Sequence, residues 1–282
     1  MDSGLKDKIV LITGASGGIG RAMAEAFGAE GCQLVLSGRT QLDKLRHWTA
    51  EQPFSDRTLG VGANVAEASE VEALFAAARE RFGRVDVCLA NAGIWPVEDT
   101  PLAAMSAERL QHTVSVNLLG AAYTARSFLA TLSDSGPRSD GQGAVLIFTG
   151  STAARFGERH HCDYSLSKAG LSGLVMTLKN EIVAIDPFGR VNMVEPGWTV
   201  THMARPALSQ EGVISKVVAT MPLRQLARAK DIAASALWLA SPLLARHVTG
   251  QTMTVAGGME GRVLWNQGDI SEDAIRERLD HD

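Results

Sequence analysis

The sequence predicts a single α/β domain in which helices cover both faces of a doubly wound parallel sheet of about seven strands. Short apolar runs alternate with amphipathic helical segments along most of the 282 residues, which is the pattern of parallel strands joined by crossover helices. A glycine-rich turn joins the first apolar run to the first helical segment. Such a turn lets a helix pack closely on the strand before it.

The first half of the chain predicts four strands and three helices. Residues 8–13 form a short apolar strand, and the chain then turns through its glycines into the first helix. Further strands are predicted at residues 33–36, 58–61 and 85–90. The helices between them follow from apolar positions that recur every three or four residues. These positions are Ile19, Ala22, Met23, Ala26 and Phe27, then Leu42, Leu45 and Trp48, then Val71, Leu74, Phe75, Ala78 and Phe82.

The second half continues this alternation with strands at residues 144–148, 190–194 and 252–255. A long helical stretch is predicted at about 103–132, and two more helices are centred on residues 171–182 and 231–240. The polar segment 133–143 is rich in turn-forming residues. Because strands and helices resume after it, we interpret it as a surface loop and not as a domain linker.

The composition argues against several kinds of partner. The 27 lysines and arginines face 31 aspartates and glutamates, so the net charge of −4 leaves no basic surplus to hold a nucleic acid. The apolar runs are too short to span a bilayer, and the polar N-terminus lacks the apolar core of a signal peptide. Three distant cysteines suggest no disulfide framework, and no ligand cluster has zinc-site spacing. We expect a cytoplasmic protein with no membrane partner and no metal.

The turn between the first strand and the first helix has the composition of a phosphate-binding turn. It reads Thr13-Gly14-Ala15-Ser16-Gly17-Gly18-Ile19-Gly20. Glycines permit a sharp turn and a close approach of the backbone to a diphosphate. The N-terminus of the following helix offers free N–H groups and a partial positive charge. The turn therefore predicts a dinucleotide site, with a tight turn that binds nothing as the alternative.

Six further motifs follow this turn in a fixed order. They are Asn91-Ala92-Gly93, Asn117, Ser151 placed 13 residues before Tyr164, the pair Tyr164 and Lys168, Pro196-Gly197 followed by Thr201, and Thr249-Gly250-Gln251 with Gly257-Gly258. On these motifs the chain resembles the short-chain dehydrogenase/reductase family, and in particular its 3-oxoacyl reductase-like and secondary alcohol dehydrogenase members. The resemblance covers residues 5–259. It implies a Rossmann-type domain with a cofactor half at about 5–150 and a catalytic and substrate half at about 151–259.

The residue types suit the hydride transfer that the family performs. A phenol can give a proton to a carbonyl oxygen, or take one from an alcohol, if its pKa is low enough. Lys168 follows Tyr164 by one helical turn, so its ammonium is expected to lower the pKa of the phenol. The resemblance implies that Tyr164 is the general acid/base and that Ser151 holds the substrate oxygen. It also implies that Asn117 anchors a water linking Lys168 to solvent.

The implied function is the interconversion of a secondary alcohol and a ketone with NAD(P)(H). One alternative is a 3-oxoacyl thioester reductase, which would need a basic surface for the acidic helix of a carrier protein. The net charge of −4 gives no sign of such a surface. The other alternative is a catalytically silent sensor that only binds the cofactor. A sensor has no need to retain Ser151, Tyr164 and Lys168 together with Asn117, which argues against it.

The resemblance implies a cofactor site at the carboxyl ends of the strands. Its residues are Gly14, Ser16, Gly18, Ile19, Gly20, Arg39, Asn64, Val65, Asn91, Ala92, Gly93, Tyr164, Lys168, Pro196, Gly197, Thr199 and Thr201. Gly38 stands where NAD-dependent members usually carry an aspartate, and Arg39 follows it. Because a guanidinium pairs with a 2′-phosphate that a carboxylate would repel, we expect NADP(H), with NAD(H) as the alternative.

The variable loops of the family predict the substrate pocket, which should take a small alcohol or ketone. Its predicted residues are Trp95, Arg155, His161 and Trp198. Further candidates in the same loops are Phe156, His160, Cys162, His202 and Met203. Tryptophan and phenylalanine suggest an apolar wall, whereas an arginine or a histidine would suit an anionic or hydroxylated substrate.

The family also implies a homotetramer, with a dimer as the alternative, assembled through the helices that contain Asn117 and Tyr164 and through the C-terminal strand. Residues 260–282 form an extension beyond the family's usual end. Because the segment 263–265 is apolar, we expect it to pack at that interface beside the neighbour's cleft. A helix at 271–279, capped by Ser271, would then lie on the outside. A frayed tail is the alternative.

Overall fold

A parallel sheet forms the centre of the computed structural model, which describes residues 2–280. The strands are β1 (Ile9–Ile12), β2 (Gln33–Gly38), β3 (Thr58–Gly62), β4 (Val87–Ala90), β5 (Val145–Thr149), β6 (Arg190–Pro196), β7 (Thr199–Val200), β8 (Ala227–Arg228) and β9 (Thr252–Val255). Seven of them form the main sheet in the order β3-β2-β1-β4-β5-β6-β9, and every neighbouring pair is parallel. The short strands β7 and β8 pair with each other outside it.

Helices connect the strands and cover both faces of the sheet. They are α1 (Gly18–Ala29), α2 (Leu42–Ala50), α3 (Ala68–Phe82), α4 (Ala107–Val114), α5 (Gly120–Ser135), α6 (Ala153–Phe156), α7 (Cys162–Ile185), α8 (Arg205–Leu208), α9 (Val213–Val218), α10 (Ala229–Ala240) and α11 (Glu272–Asp280). Short 3-10 turns lie at Ser55–Arg57, Leu102–Ala104 and Gln267–Asp269. None of the helices described at residues 2–280 is both long and apolar enough to cross a bilayer.

The strand order explains where a ligand can bind. From β1 the chain winds outward through β2 to β3, and it then returns to place β4 on the other side of β1. Loops at the carboxyl ends of β1 and β4 therefore separate in opposite directions, and a crevice opens between them. The prediction of one doubly wound domain with seven parallel strands is confirmed.

Two apolar clusters hold the helices against the sheet. One cluster joins α3, α5 and α7 to one face and includes Phe75, Phe128 and Phe148. The other joins α1 and α10 to the opposite face and includes Phe27 and Ile232. Strands β1, β4 and β5 are buried along their whole length, which is why they are continuous apolar runs in the sequence.

The predicted long helix at about 103–132 is wrong in its details. A 3-10 turn occupies Leu102–Ala104, and α4 begins only after Ser106, whose Oγ accepts a hydrogen bond from Arg109 N at 3.2 Å. A wider π-helical turn at Ser115–Leu119 then separates α4 from α5. Apolar periodicity does not reveal such a turn, because the apolar face continues through it.

The polar segment predicted as a loop at 133–143 begins with the last three residues of α5, and only residues 136–143 form the surface loop. Charged groups fix this loop to the base of the sheet. Arg138 pairs with the buried carboxylate of Asp86 at 3.0 Å and with Asp140 at 2.8 Å. Asp140 also pairs with Lys8, just before β1, at 3.1 Å. These pairs connect the two halves of the chain within one domain.

The C-terminal extension folds back on its own chain. The Trp265 indole Nε1 donates a hydrogen bond to Met221 O at 2.8 Å. The apolar part of the extension therefore packs against its own chain without a neighbouring subunit. Val263 is the exception, with 74% of its surface exposed. The predicted helix is present as α11, and the Ser271 hydroxyl caps it by accepting from Ala274 N at 3.2 Å. The last two residues, 281 and 282, lie outside the described part of the chain.

Candidate active site

A cavity of about 730 Å³ opens at the carboxyl ends of β1, β4, β5 and β6. Of the residues predicted for the site, those that line it are Gly14, Ser16, Gly18, Ile19, Gly20, Asn91, Gly93, Trp95, Ser151, Tyr164, Lys168, Pro196, Gly197, Trp198, Thr199 and Thr201. They come from positions as far apart as 14 and 201, and the sheet brings them together. The cavity continues from the glycine turn to the aromatic loops, so one space serves both ends of the site.

The glycine turn is shaped for close approach. Gly14 has φ +65°, and a Cβ there would lie 2.7 Å from Ala92 Cα. A Cβ on Gly18 would lie 3.0 Å from the Thr201 side chain. Helix α1 begins directly after Gly17 with no side-chain cap, which leaves its first N–H groups without a side-chain acceptor, and the residues of its first turn line the cavity. This cradle of donors fits the diphosphate of a dinucleotide.

Asn91 holds three strand ends in register beside this turn. Its Nδ2 donates to Thr13 O at 3.0 Å and its Oδ1 accepts from Thr149 Oγ1 at 3.2 Å. The Thr13 hydroxyl in turn accepts from the backbone N–H groups of Asn91 and Ala92, both at 3.1 Å. Ala92 does not line the cavity, because it packs behind Gly14.

Tyr164 and Lys168 stand on one face of α7 and point into the cavity. The Lys168 Nζ lies 5.9 Å from the centroid of the Tyr164 ring and donates to Thr149 O at 2.8 Å. A Cβ on Gly93 would come within 3.2 Å of that Nζ, so the absence of a side chain there leaves room for the ammonium. Ser151 follows β5, and its Oγ accepts from Ala153 N at 3.2 Å.

Burial decides the protonation of this pair. It raises the pKa of Tyr164 to about 12, while hydrogen bonding with the Ser151 side chain lowers the pKa and the charge of Glu158 raises it. Burial also lowers the pKa of Lys168 to about 8. The expected lowering of the phenol pKa by Lys168 is not found in this structure, in which burial has the largest effect on the pKa of Tyr164. The arrangement supplies a neutral phenol able to donate a proton.

Asn117 lies in the π-helical turn and is fully buried. Its Nδ2 donates to Ile94 O at 2.9 Å and to Ser167 Oγ at 3.0 Å, and its Oδ1 accepts from Ile94 N at 2.7 Å. These bonds fix the loop after β4 against α7. Asn117 does not line the cavity. Its side chain positions the loop, and the water that the family resemblance implies stays a prediction.

Aromatic side chains form the substrate end of the cavity. The rings of Trp95 and Trp198 meet edge to face, with centroids 6.3 Å apart. Phe156 and Glu158 line the same end, and Trp95 Nε1 donates to Glu158 Oε1 at 3.1 Å. Burial raises the pKa of Glu158, which His161 and the Trp95 hydrogen bond partly offset.

Five further predicted residues do not line the cavity, and each has a physical reason. His161 is buried behind Trp95, with its ring stacked at 4.9 Å and its Nε2 in a 2.8 Å hydrogen bond with Pro96 O. Arg155 is exposed on α6. Asn64 Oδ1 accepts from Ala66 N at 3.3 Å, and Val65 is buried against Gly120. Arg39 is exposed just after β2.

Several lining residues were missed by the sequence analysis. The main ones are Arg21, Gln41, Lys44, Glu158 and Met259. Arg21 and Lys44 stand in the first turns of α1 and α2. The sequence could have indicated both as lining residues, because one follows the glycine turn and the other follows the second strand. For Glu158 and Met259 the sequence holds no comparable signal, because loop conformation decides where they point.

Known proteins are similar to this chain in sequence and in fold. The profile of the family described as "Enoyl-(Acyl carrier protein) reductase" matches residues 14–260. The L-rhamnose 1-dehydrogenase (NAD(P)(+)) of Azotobacter vinelandii is 34% identical over 261 residues, which span 90% of this chain and 97% of that protein. The chain is a short-chain dehydrogenase/reductase. The 3beta-hydroxysteroid dehydrogenase 1 of Eggerthella lenta is also 34% identical to it, over 90% of this chain and 94% of its own.

A solved structure agrees with this membership of the short-chain dehydrogenase/reductase family. The crystal structure of a protein from Brucella melitensis, described as a short-chain dehydrogenase/reductase and glucose/ribitol dehydrogenase, superposes with a TM-score of 0.79 at 31% identity. The match covers 90% of this chain and 97% of the chain in that crystal structure. The protein is therefore an NAD(P)(H)-dependent oxidoreductase that interconverts an alcohol and a ketone, as the sequence predicted.

Proposed function

We propose that this protein transfers hydride at a secondary alcohol or ketone, with Tyr164 as its general acid/base. When bound in the cavity, the nicotinamide cofactor supplies or accepts the hydride. In reduction, the Tyr164 hydroxyl gives its proton to the carbonyl oxygen as the carbonyl carbon receives the hydride. In oxidation, Tyr164 acts as the phenolate, and its oxygen takes the proton of the alcohol as the alcohol carbon gives up its hydride. The observation that carries this proposal is that Tyr164, Ser151 and Lys168 together line a cavity that begins at the diphosphate cradle.

Ser151 and Lys168 support Tyr164 in different ways. Ser151 and Tyr164 line the same cavity, so the Ser151 hydroxyl is placed to bind the substrate oxygen beside the proton donor. Lys168 holds its ammonium near the ring through the bond to Thr149 O. A charge there stabilises the phenolate that forms when the proton leaves.

Turnover by Tyr164→Phe tests the assignment. Absorbance at 340 nm would follow cyclohexanol, 2-octanol, an aldose, a hydroxysteroid and acetoacetyl-coenzyme A, each with both cofactors. We expect the variant to bind cofactor normally and to lose at least 10²-fold in kcat. Retention of more than a tenth of wild-type turnover would contradict it. Tight cofactor binding without turnover of any compound by the wild type would favour the sensor, and turnover of the thioester alone would favour the thioester reductase.

Glu158 gives the pocket its polar feature at the substrate end. The Glu158 Oε1 is bonded to Trp95, whereas its Oε2 has no hydrogen-bond partner among residues 2–280 and the residue lines the cavity. An ionised carboxylate only accepts hydrogen bonds. A substrate that fits therefore has an apolar ring or chain for the tryptophans and a second hydroxyl for Glu158.

Matched substrates test this role. Wild type is expected to prefer a cyclohexanediol isomer over cyclohexanol in kcat/KM, and Glu158→Gln is expected to reduce that preference by about tenfold. Glu98→Gln, which changes an exposed carboxylate nearby, serves as the control. Equal preferences in wild type and Glu158→Gln would rule out a substrate-reading role for this carboxylate.

NADP(H) is the proposed cofactor. A Cβ on Gly38 would lie 3.2 Å from Ser16 Oγ, so an aspartate at this position would crowd the glycine turn. Two cations, Arg21 and Lys44, line the cavity near that turn, and Arg39 lies exposed beside it. These charges favour a 2′-phosphate.

We also propose a cytoplasmic homotetramer, built on the exposed face of α7. Its apolar and small residues recur at helical spacing and are Leu166, Ala169, Gly173, Met176 and Val183. A Cβ on Gly173 would meet nothing within 4 Å in this chain, so a second helix can approach closely there. Cys32 and Cys88 are buried free thiols, which supports a reducing compartment.

A further inference from the structure

The wall of the substrate cleft belongs to a small cluster of its own. We call residues 198–226, between β6 and β8, the cap, and residues 260–280 the strap. Apolar side chains of the cap, such as Ile214 and Met221, pack with Ile270 and Ile275 of the strap. This cluster is distinct from the two clusters that flank the sheet. The cap thus relies on the strap for much of its apolar packing.

The cap contains a helix that is too short to be stable alone. Helix α9 spans only Val213–Val218, and its N-cap Gly212 provides no side-chain hydrogen bond. A helix this short lacks enough internal hydrogen bonds to offset the cost of nucleating it. Its free N–H and C=O groups must find partners elsewhere.

The strap supplies those partners at both ends of α9. At the N-terminal end, Glu272 Oε1 accepts from Ser215 N at 2.9 Å and from Ser215 Oγ at 2.7 Å. A carboxylate there also interacts favourably with the helix dipole. At the C-terminal end, Ala219 O accepts from Leu264 N at 2.6 Å, and Met221 O accepts from Trp265 Nε1 at 2.8 Å.

The cap also forms part of the cavity wall. Trp198, His202 and Met203 line the cavity, as does Met259, which lies immediately before the strap. Arg224 of the cap closes the arrangement, with its guanidinium 4.1 Å from the Trp265 ring and its Nη1 donating to Asp269 O at 2.9 Å. The match to the family profile covers residues 14–260, so the strap after Glu260 lies outside the matched region.

We infer that the strap is a positioning element for substrate binding: Glu272 and Trp265 hold α9, and with it the cleft wall, in the binding conformation. The strap thereby makes this protein's substrate affinity depend on a segment outside the shared family domain. The effect on KM rests on the proposed function, whereas the effect on the order of the cap does not.

Amide hydrogen exchange tests the inference without turnover. Glu272→Ala is expected to exchange at least tenfold faster at residues 213–219, with β1, β4 and β5 unchanged as internal reference. Asp273→Ala removes the same charge from the same turn of α11, and the Asp273 side chain is exposed, so this variant should exchange like wild type. Glu272→Gln, which still accepts from Ser215, should restore most of the protection.

Kinetics provide the second measurement. With the panel alcohol of highest kcat/KM, Glu272→Ala is expected to raise KM at least threefold while kcat changes less than twofold, and Glu272→Gln should recover most of this loss. A chain ending at Arg262 should show the larger effect. Unchanged exchange at residues 213–219 in Glu272→Ala and in the shortened chain would overturn the inference. Failure of the proposed function would instead show as a fully active Tyr164→Phe.

Discussion

Burial of the Lys168 ammonium lowers the stability of the fold, and the chemistry of the site requires this burial. The side chain is buried and donates a hydrogen bond to Thr149 O. Burial lowers the pKa of Lys168 from 10.5 to about 8. A shift of that size corresponds to about 3 kcal/mol against folding at neutral pH. The site thus contains a residue that destabilises the fold, as sites adapted to chemistry often do.

Lys168→Met should therefore stabilise the protein at pH 7 while abolishing turnover. We expect the free energy of unfolding to rise by about 1–2 kcal/mol, because loss of the hydrogen bond to Thr149 O offsets part of the gain. In the unfolded chain Lys168 keeps its proton to a higher pH than in the folded protein, so the stability of the wild type rises between pH 8 and 10. The difference in stability between wild type and Lys168→Met shrinks over the same range. Above pH 10 the raised pKa of Tyr164 reverses the trend.

Urea denaturation at pH 7, 8, 9 and 10 measures this difference. Lys6→Met changes an exposed lysine and should show no pH-dependent difference from wild type. A Lys168→Met protein less stable than wild type at pH 7 would contradict the argument.

Cofactor choice is also a matter of single residues. Arg39→Asp and Lys44→Asp each place a negative charge near the expected 2′-phosphate. We expect each to weaken NADP(H) binding at least tenfold and to leave NAD(H) binding within threefold. Because Lys44 lines the cavity and Arg39 does not, the larger effect is expected for Lys44.

Fluorescence titration of both cofactors gives the dissociation constants. Arg246→Asp, an exposed arginine near the amino ends of the strands, controls for the change in net charge. Tighter binding of NAD(H) than of NADP(H) by the wild type would show the proposed preference to be wrong.

At the scale of elements, helix ends determine much of the geometry. The π-helical turn between α4 and α5 places Asn117 against the loop after β4. Arg190, at the start of β6, is buried and caps the C-terminal end of α10, because its guanidinium donates hydrogen bonds to four carbonyl groups. They are those of Leu239, Ala240, Ser241 and Ala245. Such distant capping has no pattern in the sequence.

Arg190→Met should destabilise the protein by about 3 kcal/mol or more, because it leaves buried carbonyl groups without donors. Thermal unfolding should show a decrease in Tm of roughly 5 °C. Arg246→Met, an exposed arginine six residues after α10, should leave Tm unchanged. Equal Tm values for wild type and Arg190→Met would show that these bonds contribute little.

The whole molecule leaves one long helix face open. Met176, in the middle of α7, is 54% exposed and lies among small residues. Met176→Glu should dissociate the proposed tetramer, because the assembled form would bury an unpaired carboxylate. Light scattering should give about 120 kDa for wild type, four times the 30.0 kDa of the chain, and a smaller mass for the variant.

Leu243→Glu is the matched control for the assembly, since Leu243 is 50% exposed and lies outside α7. It should retain the wild-type mass. A wild-type mass of one chain would refute the tetramer, and a Met176→Glu tetramer would place the interface elsewhere.

The sequence by itself determined the fold and the chemical residues. Strand and helix patterns are local, and the spacing of Tyr164 and Lys168 along one helix already places both on one face. Tertiary structure decided what depends on distant neighbours. Burial raised the pKa of Tyr164 although Lys168 stands near it, and loop conformation placed Glu158 in the cavity and His161 behind it. Packing against the cap, and not composition, decided where the strap lies, because its apolar residues would have suited a neighbouring subunit equally well.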